Sequence, residues 1–414
     1  MKPLQTLLAD LHASGVKLWL EEERLRVSAP PGILTEERRA ALTHYKSDLL
    51  VLLEKQAMQT MPPLPRTGRE PLSYAQQRLW FLQQVEANSA YNMPAILHLH
   101  GALHYTVLQG AIDAIVARHE NLRTTFHEEG GEIYQRIAPP APVAIPIIDL
   151  TPTAAMTIEA AALALADDEL RRPFDLAQGP LLRVVLIRVT STQPTATPEH
   201  YLVVNMHHII SDGVSVAFLI DEFSALYSAG VRGEASPLPP LAIQYADFAA
   251  WQRKWLGGKF LEQQAAYWQE KLQGAPPLLE LPTDRPRPAQ QSFRGKTLAF
   301  AIDKATTRKL NHFSQQQKAT PFMTLLGVFA LLLHRYSSQH DILIGTPIAG
   351  RSQPAVERLI GLFINTLVMR VDFSTGLTGS ALIEQVRQTA LDNWIFRSTL
   401  DVEHLPEPVS EVTL

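Results

Sequence analysis

The chain of 414 residues contains no cysteine. That absence excludes disulfide bonds, thiolate nucleophiles and cysteine-ligated zinc sites, and nothing in it favours an oxidising compartment. An excess of one charge is also missing, because 37 basic residues stand against 41 acidic ones and the net charge is −4. Without a basic field to attract phosphate backbones or anionic lipids, nucleic acid and membrane surfaces are poor candidate partners.

Long apolar runs are absent too. The longest, from Phe322 to Leu333, has 12 residues, fewer than the roughly 20 that a membrane span needs. The N-terminus lacks the apolar core and small-residue cleavage site of a signal peptide. We therefore expect a cytoplasmic protein. Hydrophobic residues form 46% of the chain, which at this length predicts two or three folded units.

A small separate module is predicted at residues 1–57. Leucines at helical spacing within residues 4–11 indicate a first helix. Residues 17–20 and 24–27 then favour the two strands of a hairpin, and Thr35 can cap a second helix. The module is expected to fold as helix, hairpin and helix.

The rest of the chain is predicted to be a mixed α/β (α+β) structure. A proline-rich linker at 58–68 precedes a first lobe at 69–240 and a second at 241–414, with a proline cluster at 237–240 near their boundary. Helices are expected near 105–119, 214–228, 245–273 and 322–336, and strands near 94–100, 181–190, 200–208, 341–347 and 364–372.

Two histidines end an apolar strand within residues 201–215. Because strand side chains alternate, His207 and His208 are expected on opposite faces, with only one of them facing a cleft. Ser211 or Asp212 can cap the helix that follows, and free backbone N–H groups gather near Gly213. The apolar stripe of that helix is expected at Val216, Ile220, Phe223 and Tyr227.

An imidazole beside a helix N-terminus supplies a proton acceptor together with oriented donors, which acyl transfer requires. A plainer interpretation also fits the bare pattern: a core histidine bonded to a backbone carbonyl, with Asp212 only capping the helix. A metal site made of His207, His208 and Asp212 is disfavoured, because the opposed faces prevent joint ligation and no further ligand cluster is evident in the sequence.

The segment His207-His208-Ile209-Ile210-Ser211-Asp212-Gly213 resembles the signature of nonribosomal peptide synthetase condensation domains. Four further stretches resemble that family's other motifs in the same order, which makes the resemblance far more specific than one motif would. They are residues 73–82 (SYAQQRLWFL), 118–126 (RHENLRTTF), 245–251 (YADFAAW) and 360–370 (IGLFINTLVMR).

Residues 1–57 are similar to the N-terminal docking domains of such synthetases, of the tubulysin type. That similarity implies that the hairpin edge at Arg24, Leu25, Arg26 and Val27 accepts a strand from the C-terminal segment of an upstream subunit. The open alternative is a self-contained module that binds nothing.

The condensation-domain resemblance implies two lobes similar to chloramphenicol acetyltransferase, arranged in a V around a tunnel. It also implies amide bond formation between a donor acyl or peptidyl thioester and an acceptor aminoacyl thioester. Both substrates would be carried on the phosphopantetheine of partner carrier proteins, and the chain itself would bind no cofactor or metal. By the same resemblance, His208 takes up a proton from the attacking amine or positions it, and backbone N–H near Gly213 steadies the oxyanion.

The remaining motif positions are expected to be structural. His207 would shape the strand and tunnel wall, and Asp212 would pair with an arginine. Arg118 is the first candidate for that pairing, with Arg335 and Arg351 as rivals. Trp251 and Asn365 would line the tunnel or brace the lobe contact, with plain packing favoured for Trp251.

One departure from the family pattern concerns the C-terminal part. The family's next motif, of His-Gln-Asp-x-Pro-Phe-Glu type, is not clearly present after residue 370, so the second lobe is expected to be shortened. A docking scaffold without activity and an acyltransferase that uses free acyl-CoA therefore stay open as alternatives. Within the family, the motifs look closest to the subtype that joins an L-configured donor to an L-aminoacyl acceptor. A cyclising or ester-forming relative is open as well, although cyclising domains have aspartate where His207 and His208 stand.

Overall fold

A computed structural model describes residues 16–21, 24–29, 33–46, 49, 61–85, 89–150, 158–189, 197–288, 295–296, 298–351 and 353–395. The chain divides into two compact units, Met1–Pro65 and Arg66–Leu414. Each is described by itself below.

The first unit contains an antiparallel hairpin and a helix. Strand β1 (Lys17–Glu21) pairs with β2 (Arg24–Ser28), with Lys17 opposite Ser28. Helix α1 (Glu36–His44) begins at Thr35, whose hydroxyl accepts the Arg38 N–H. Val16, Leu42 and Leu49 form the core, and Leu25 and Val27 pack against it. The helix expected within residues 4–11 lies outside the described residues.

The first part of the second unit is built on a four-stranded sheet of order β4-β9-β8-β7. The β4–β9 and β9–β8 pairs are antiparallel, and the β8–β7 pair is parallel. The strands are β4 (Asn92–His100), β7 (Ile147–Leu150), β8 (Leu182–Val189) and β9 (Glu199–His207). Helices α2 (Tyr74–Val85), α3 (Tyr105–Arg118), α4 (Ile158–Arg171) and α5 (Gly213–Val231) belong to the same part.

A smaller three-stranded sheet has the order β3-β6-β5. Its strands are β3 (Glu70–Pro71), β5 (Thr124–Glu129) and β6 (Glu132–Ile137). A short 3-10 helix, Glu120–Arg123, connects α3 to β5.

The C-terminal part packs helices on a long antiparallel pair. Strands β10 (Asp341–Ala349) and β11 (Ile364–Asp372) pair along their whole length, with Ile348 opposite Asn365. Their buried residues share a core with those of the flanking helices, among them Trp268, Ala330 and Val386. The helices are α6 (Tyr245–Trp255), α7 (Gly258–Leu272), α8 (Lys304–Gln316), α9 (Pro321–Ser337) and α10 (Gly379–Ile395).

The mixed α/β fold class is confirmed, but several element predictions need correction. The single helix expected at 245–273 is two helices, because α6 ends at Trp255 and Gly257 caps the start of α7. The hydropathy pattern also missed the β5–β6 hairpin and helices α4, α8 and α10. Helix α8 is amphipathic but polar on average, and α4 and α10 mix apolar and polar residues, so a search for strongly apolar segments passed over them.

Among the described residues, α5 is long and apolar enough to cross a membrane, and α8 with α9 would pass the same test only as a pair bent by 103°. Buried helices of water-soluble proteins have the same length and composition. In α5, the buried face includes the polar residues Ser215 and Glu222.

Candidate active site

The turn between β9 and α5 carries the predicted reactive residues. Strand β9 ends at His207, a 3-10 turn spans His208–Ile210, and Gly213 begins α5. His208 therefore lies outside the strand, and the expectation that simple strand alternation separates the two histidines is wrong. The end of β9 sets the direction of His207, and the 3-10 turn sets that of His208.

His207 is completely buried. Its Nδ1 accepts the Ile209 N–H at 3.1 Å, so the neutral ring carries its proton on Nε2, a buried atom without a hydrogen-bond partner among the described residues. The Phe174 ring stands edge-on to the imidazole, with centroids 6.0 Å apart. Burial, and then the charge of His208, lowers the pKa of His207 to about 3. Such an imidazole holds the turn in shape but is a weak base.

His208 is only half-buried. Its Nδ1 lies 2.7 Å from the Ser211 carbonyl oxygen. Because a carbonyl only accepts, Nδ1 must be the donor, and the neutral ring keeps its lone pair on Nε2. The His208 backbone N–H donates to the Tyr91 carbonyl at 2.8 Å, which fixes the main chain beneath the ring. The turn thus presents one oriented imidazole whose Nε2 can accept a proton.

Asp212 is completely buried and its carboxylate is fully engaged. Oδ1 accepts the Ser215 N–H at 2.7 Å, the N-cap bond of α5, and also accepts from Arg351 at 2.9 Å. Oδ2 accepts the Phe363 N–H at 3.1 Å. The carboxylate therefore joins the start of α5 to residues far later in the chain, and it braces the turn.

Arg351, not Arg118, is the partner of Asp212. Its Nη2 donates to Asp212, and its Nη1 donates to the Val356 and Leu359 carbonyls at 2.9 and 2.7 Å. The guanidinium also lies over the Phe363 ring, 4.1 Å from the centroid. Burial lowers the pKa of Arg351, but a guanidinium stays protonated.

Arg118 was the first candidate for that role, and the prediction is wrong. Its Nε donates to Glu222 of α5 at 3.1 Å, and His119 Nε2 lies 2.9 Å from the other carboxylate oxygen. Burial acts to raise the pKa of Glu222, but the hydrogen bonds and charges of His119 and Arg118 outweigh it and lower the pKa. Arg118 thus secures the middle of α5, at a position two and a half turns beyond its start.

Gly213 is exposed at the first position of α5. The first N–H groups of a helix have no intrahelical acceptor, so those of Gly213 and Val214 are available to a ligand. The buried face of α5 differs from the predicted stripe of Val216, Ile220, Phe223 and Tyr227. Only Phe223 of that stripe is buried, and polar residues join the buried face, which consists of Ser215, Leu219, Glu222, Phe223, Leu226 and Ala229.

Tyr245 connects three of the motif segments. Its hydroxyl lies 2.9 Å from the Ser73 hydroxyl and donates to the Leu362 carbonyl at 2.6 Å. Gly361 lies against the ring so closely that a Cβ there would be 2.0 Å from Cδ2. Burial raises the pKa of the Tyr245 phenol, which stays protonated. Only glycine fits at 361, which explains the small residue in that motif.

Two more motif residues hydrogen-bond to the backbone of the turn His208–Ile210. Gln76 Nε2 donates to the Ile209 carbonyl at 3.3 Å, and Asn121 Nδ2 donates to the Ile210 carbonyl at 2.7 Å. Both amide side chains are buried. The opening motif and the second motif therefore hold the 3-10 turn by its backbone.

Trp251 and Asn365, the two remaining motif residues, make contacts within their own chain segments. Trp251, on α6, stacks on Trp255 with ring centroids 5.0 Å apart. Asn365, in β11, lies two residues after Phe363, and its Oδ1 accepts the Thr366 N–H at 2.9 Å. Both side chains are half-buried.

The candidate docking residues form most of β2. Arg24, Leu25, Arg26 and Val27 all pair with β1, and β2 has no second strand partner among the described residues. The side chains of Leu25 and Val27 contribute to the small core of the first unit.

Comparison with known families agrees with this geometry. The model of the family described as "Condensation domain" matches residues 67–394. The chain belongs to the condensation-domain family. A second model, "TubC N-terminal docking domain", matches residues 4–55. The chain is thus a nonribosomal peptide synthetase condensation domain preceded by a TubC-type docking domain, as the motifs predicted.

Curated relatives of the condensation domain are large synthetases. One of the subunits of linear gramicidin synthase from Brevibacillus parabrevis is 46% identical over 80% of this chain and 4% of its own length. Phosphinothricin tripeptide synthetase PhsC of Streptomyces viridochromogenes is 39% identical over 98% of this chain and 34% of its own length. The chain therefore spans about a third or less of these relatives.

Solved structures share the fold. The X-domain from teicoplanin biosynthesis has a TM-score of 0.76 at 28% identity, over 85% of this chain and 77% of that one. The first condensation domain of the CDA synthetase has a TM-score of 0.66 at 22% identity, over 81% and 78% of the two chains. The condensation-domain fold is confirmed.

Sequence reasoning missed the bracing role of Ser215, Tyr245 and Gly361. Tyr245 and Gly361 stand in motifs that the sequence did reveal, so their positions were marked but not their contacts. The Ser215 hydroxyl lies 3.0 Å from the Gly361 N–H and 2.8 Å from Arg351 Nη2. No local pattern could pair residues so far apart in the chain.

Proposed function

We propose that the condensation domain catalyses amide bond formation between two carrier-bound thioesters. The acceptor's amine nitrogen attacks the donor's thioester carbonyl, a C–N bond forms, and the C–S bond to the donor's phosphopantetheine breaks. The proton lost by the amine passes by way of His208 to the departing sulfur. The donor chain ends on the acceptor carrier, and the donor carrier leaves with a free thiol. Of the condensation subtypes, we propose the one that joins an L-configured donor to an L-aminoacyl acceptor.

The observation that carries this proposal is the tautomer of His208. The Ser211 carbonyl holds the proton on Nδ1 and leaves Nε2 as an acceptor on a half-buried ring. General-base or positioning catalysis needs that arrangement within hydrogen-bond reach of the amine. His207 is unsuited to this role, because its Nδ1 is occupied and its pKa is far below neutrality.

The start of α5 supplies the second element. A tetrahedral intermediate places negative charge on the former carbonyl oxygen, and helix N-terminal N–H groups stabilise such charge. Gly213 is exposed at this end and has no side chain to obstruct an approaching oxygen. Asp212 and Arg351 form a buried ion pair that fixes the position of that end.

The partners that follow are a donor carrier protein, an acceptor carrier protein and the C-terminal segment of an upstream synthetase subunit. The chain itself would hold no metal or cofactor for this reaction, because the phosphopantetheine arms arrive with the carriers. Nucleic acid and membranes have no part in it. We place the reaction in the cytoplasm.

The deciding experiment mixes the protein with a peptidyl-loaded donor carrier and an aminoacyl-loaded acceptor carrier, and follows the intact mass of the acceptor. The parent should add the donor's mass to the acceptor, and His208→Ala should fail to do so. His312→Ala serves as a matched control, because His312 is an exposed histidine on α8. If folded parent protein transfers nothing, the domain is a docking scaffold. If acyl-CoA replaces the loaded donor equally well, carriers are not its substrates.

For the docking domain, we propose that the free edge of β2 receives the upstream segment as an added strand. Its support is the hairpin register, which occupies one edge of β2 and, among the described residues, leaves the other without a strand. Titration of the protein with upstream C-terminal peptides should give saturable binding that Arg24→Glu with Arg26→Glu weakens. Lys46→Glu, an exposed substitution after α1, is the control. Equal weakening by the control would contradict binding at the β2 edge.

A further inference from the structure

Two histidines and a glutamate meet on one sheet face, at the opposite end of β4 and β9 from the catalytic turn. His98 and His100 are two residues apart in β4, and Glu199 begins β9 directly opposite His100. The potential ligand atoms of the three side chains all lie within 4.8 Å of one another. His98 Nε2 is 3.0 Å from a Glu199 carboxylate oxygen, and the two imidazole centroids are 4.0 Å apart.

We propose that His98, His100 and Glu199 form a zinc site. Two imidazoles with one carboxylate are a common ligand set for zinc, which binds nitrogen and oxygen at roughly 2.0–2.2 Å. A tetrahedral ion at that distance separates its ligand atoms by roughly 3.3 Å, close to the 3.0 Å between His98 and Glu199. Small rotations of exposed side chains complete the set, and a water molecule would occupy the fourth position.

The backbone beneath these side chains is fixed in advance. Residues at i and i+2 of a strand share a face, so β4 directs both imidazoles to the same side. The His98 ring also stacks on Tyr201 of β9, with centroids 4.3 Å apart and planes 7° apart. Just beyond the strands, the Gly101 N–H donates to the Pro198 carbonyl at 2.8 Å, which ties the two strand ends together.

An ion can reach this site without any opening of the fold. The side chains of His98 and Glu199 are 37% and 33% exposed, and His100 is exposed as well. The bound ion would link β4 to β9 through the facing residues His100 and Glu199. The opposite end of the same pair sets Asn92 against His207, about 26 Å away at the usual rise per residue. The site is therefore a structural clamp, separate from the proposed transfer chemistry.

The sequence had suggested no metal ligands, because only His98 and His100 are neighbours in the chain. Glu199 joins them through strand pairing over a separation of 101 residues from His98. Among the described residues, this is the one group of three or more potential metal ligands that lie so close together.

Tag-free protein titrated with zinc chloride tests the proposal by calorimetry and thermal unfolding. We expect one ion per chain and a midpoint of unfolding higher by a few degrees. His100→Asn and Glu199→Gln should each weaken binding roughly tenfold or more, since loss of even a hydrogen-bond partner of a metal ligand costs that much. His312→Asn, an exposed histidine outside the cluster, should bind zinc like the parent.

Circular dichroism of each variant shows whether it remains folded, and a crystal soaked in zinc chloride and measured at the zinc edge locates the ion. The proposal is overturned if parent binding is weaker than about 1 mM, or if folded His100→Asn keeps the parent's affinity. Peptide transfer by His100→Asn should match that of the parent, so failure of the zinc site and failure of the proposed transfer activity are separate outcomes.

Discussion

The two ends of the turn from His207 to Gly213 are built in opposite ways. At the histidine end, His208 is half-buried and has one nitrogen bonded to the Ser211 carbonyl, while the other stays an acceptor. At the aspartate end, Asp212 is completely buried and both carboxylate oxygens are bonded. The motif thus joins a half-buried imidazole that keeps an acceptor nitrogen to a buried carboxylate whose two oxygens are both bonded.

This difference teaches that a short motif need not be a set of reacting groups. Asp212 contacts Arg351, Ser215 and Phe363, and it holds the first turn of α5 against the later segments. A catalytic imidazole must be held within fractions of an ångström to act. The hydrogen bonds of Asp212 therefore supply the rigidity that the proposed role of His208 requires.

The strongest test of this comparison removes the brace. Arg351→Ala should cost about 3–5 kcal/mol of unfolding free energy, because it leaves the buried Asp212 carboxylate without its counter-charge. Transfer activity should fall with it. Urea denaturation and the carrier assay measure both losses. Arg351→Lys keeps the charge but loses the guanidinium's bonds to Val356 and Leu359. Its stability and activity should therefore lie between those of the parent and those of Arg351→Ala. An Arg351→Ala protein as stable as the parent would show that the brace is unimportant.

Substitution of His208 should lower the transfer rate strongly but change the unfolding free energy little, unlike Arg351→Ala. His208→Ala should slow transfer roughly 10²- to 10⁴-fold, the usual contribution of a general acid–base group. Its unfolding free energy should change by only about 1 kcal/mol, because one hydrogen bond is lost from a half-buried ring. Single-turnover mass spectrometry and urea denaturation give the two numbers. A stability loss as large as that of Arg351→Ala would place His208 with the bracing residues.

A pH titration separates His207 from His208. Burial holds the pKa of His207 at about 3 in the folded protein, against about 6.5 in an unfolded chain. Between these values the unfolded chain binds more protons, so the stability due to neutral His207 is complete above pH 6.5 and is lost as the pH falls. The loss should reach about 2 kcal/mol between pH 7 and pH 5.

Urea denaturation at several pH values measures this effect, and His207→Asn is the control. The variant should be less stable at neutral pH but should lose less stability on acidification. His127 and His200, whose pKa values burial also lowers, contribute equally to both proteins and cancel in the difference. Parallel curves for parent and variant would mean that His207 is not held neutral.

The smallest effect expected is that of Arg118. Arg118→Ala removes one charged hydrogen-bond partner of the buried Glu222 but leaves His119, so the cost should be about 1.5 kcal/mol, below that of Arg351→Ala. A double-mutant cycle should show coupling of Arg118 with Glu222 and almost none with Asp212. Strong coupling to Asp212 in urea denaturation would restore the pairing that the sequence suggested.

Much of the fold could be predicted because its signals are local. Helices α3 and α9 and strands β8 to β11 follow from apolar periodicity and were expected within a few residues of their observed ends. The break between α6 and α7 was missed because apolar residues continue on both sides of it, although the pair Gly257-Gly258 marks it in the sequence.

The sequence was sufficient to predict which residues form the site but not which of them bond to one another. Resemblance identified His208 and Asp212, yet three arginines could have paired with the aspartate, and only folding decides among them. The partner that does so is 139 residues away. Likewise, the buried face of α5 includes Glu222 because Arg118 and His119 compensate its charge. Hydropathy cannot show such compensation, since it scores each residue alone.

The reach of Asp212 along the chain also has a consequence for biosynthesis. Its carboxylate needs Phe363, 151 residues later, before its last hydrogen bond can form. Translation at 5–20 residues per second takes roughly 8–30 s to add that length. During this interval the nascent polypeptide already contains both histidines but lacks the contacts of Asp212 with Arg351 and Phe363 that brace their turn. The complete set of hydrogen bonds around Asp212 can therefore form only after residue 363 has been synthesised.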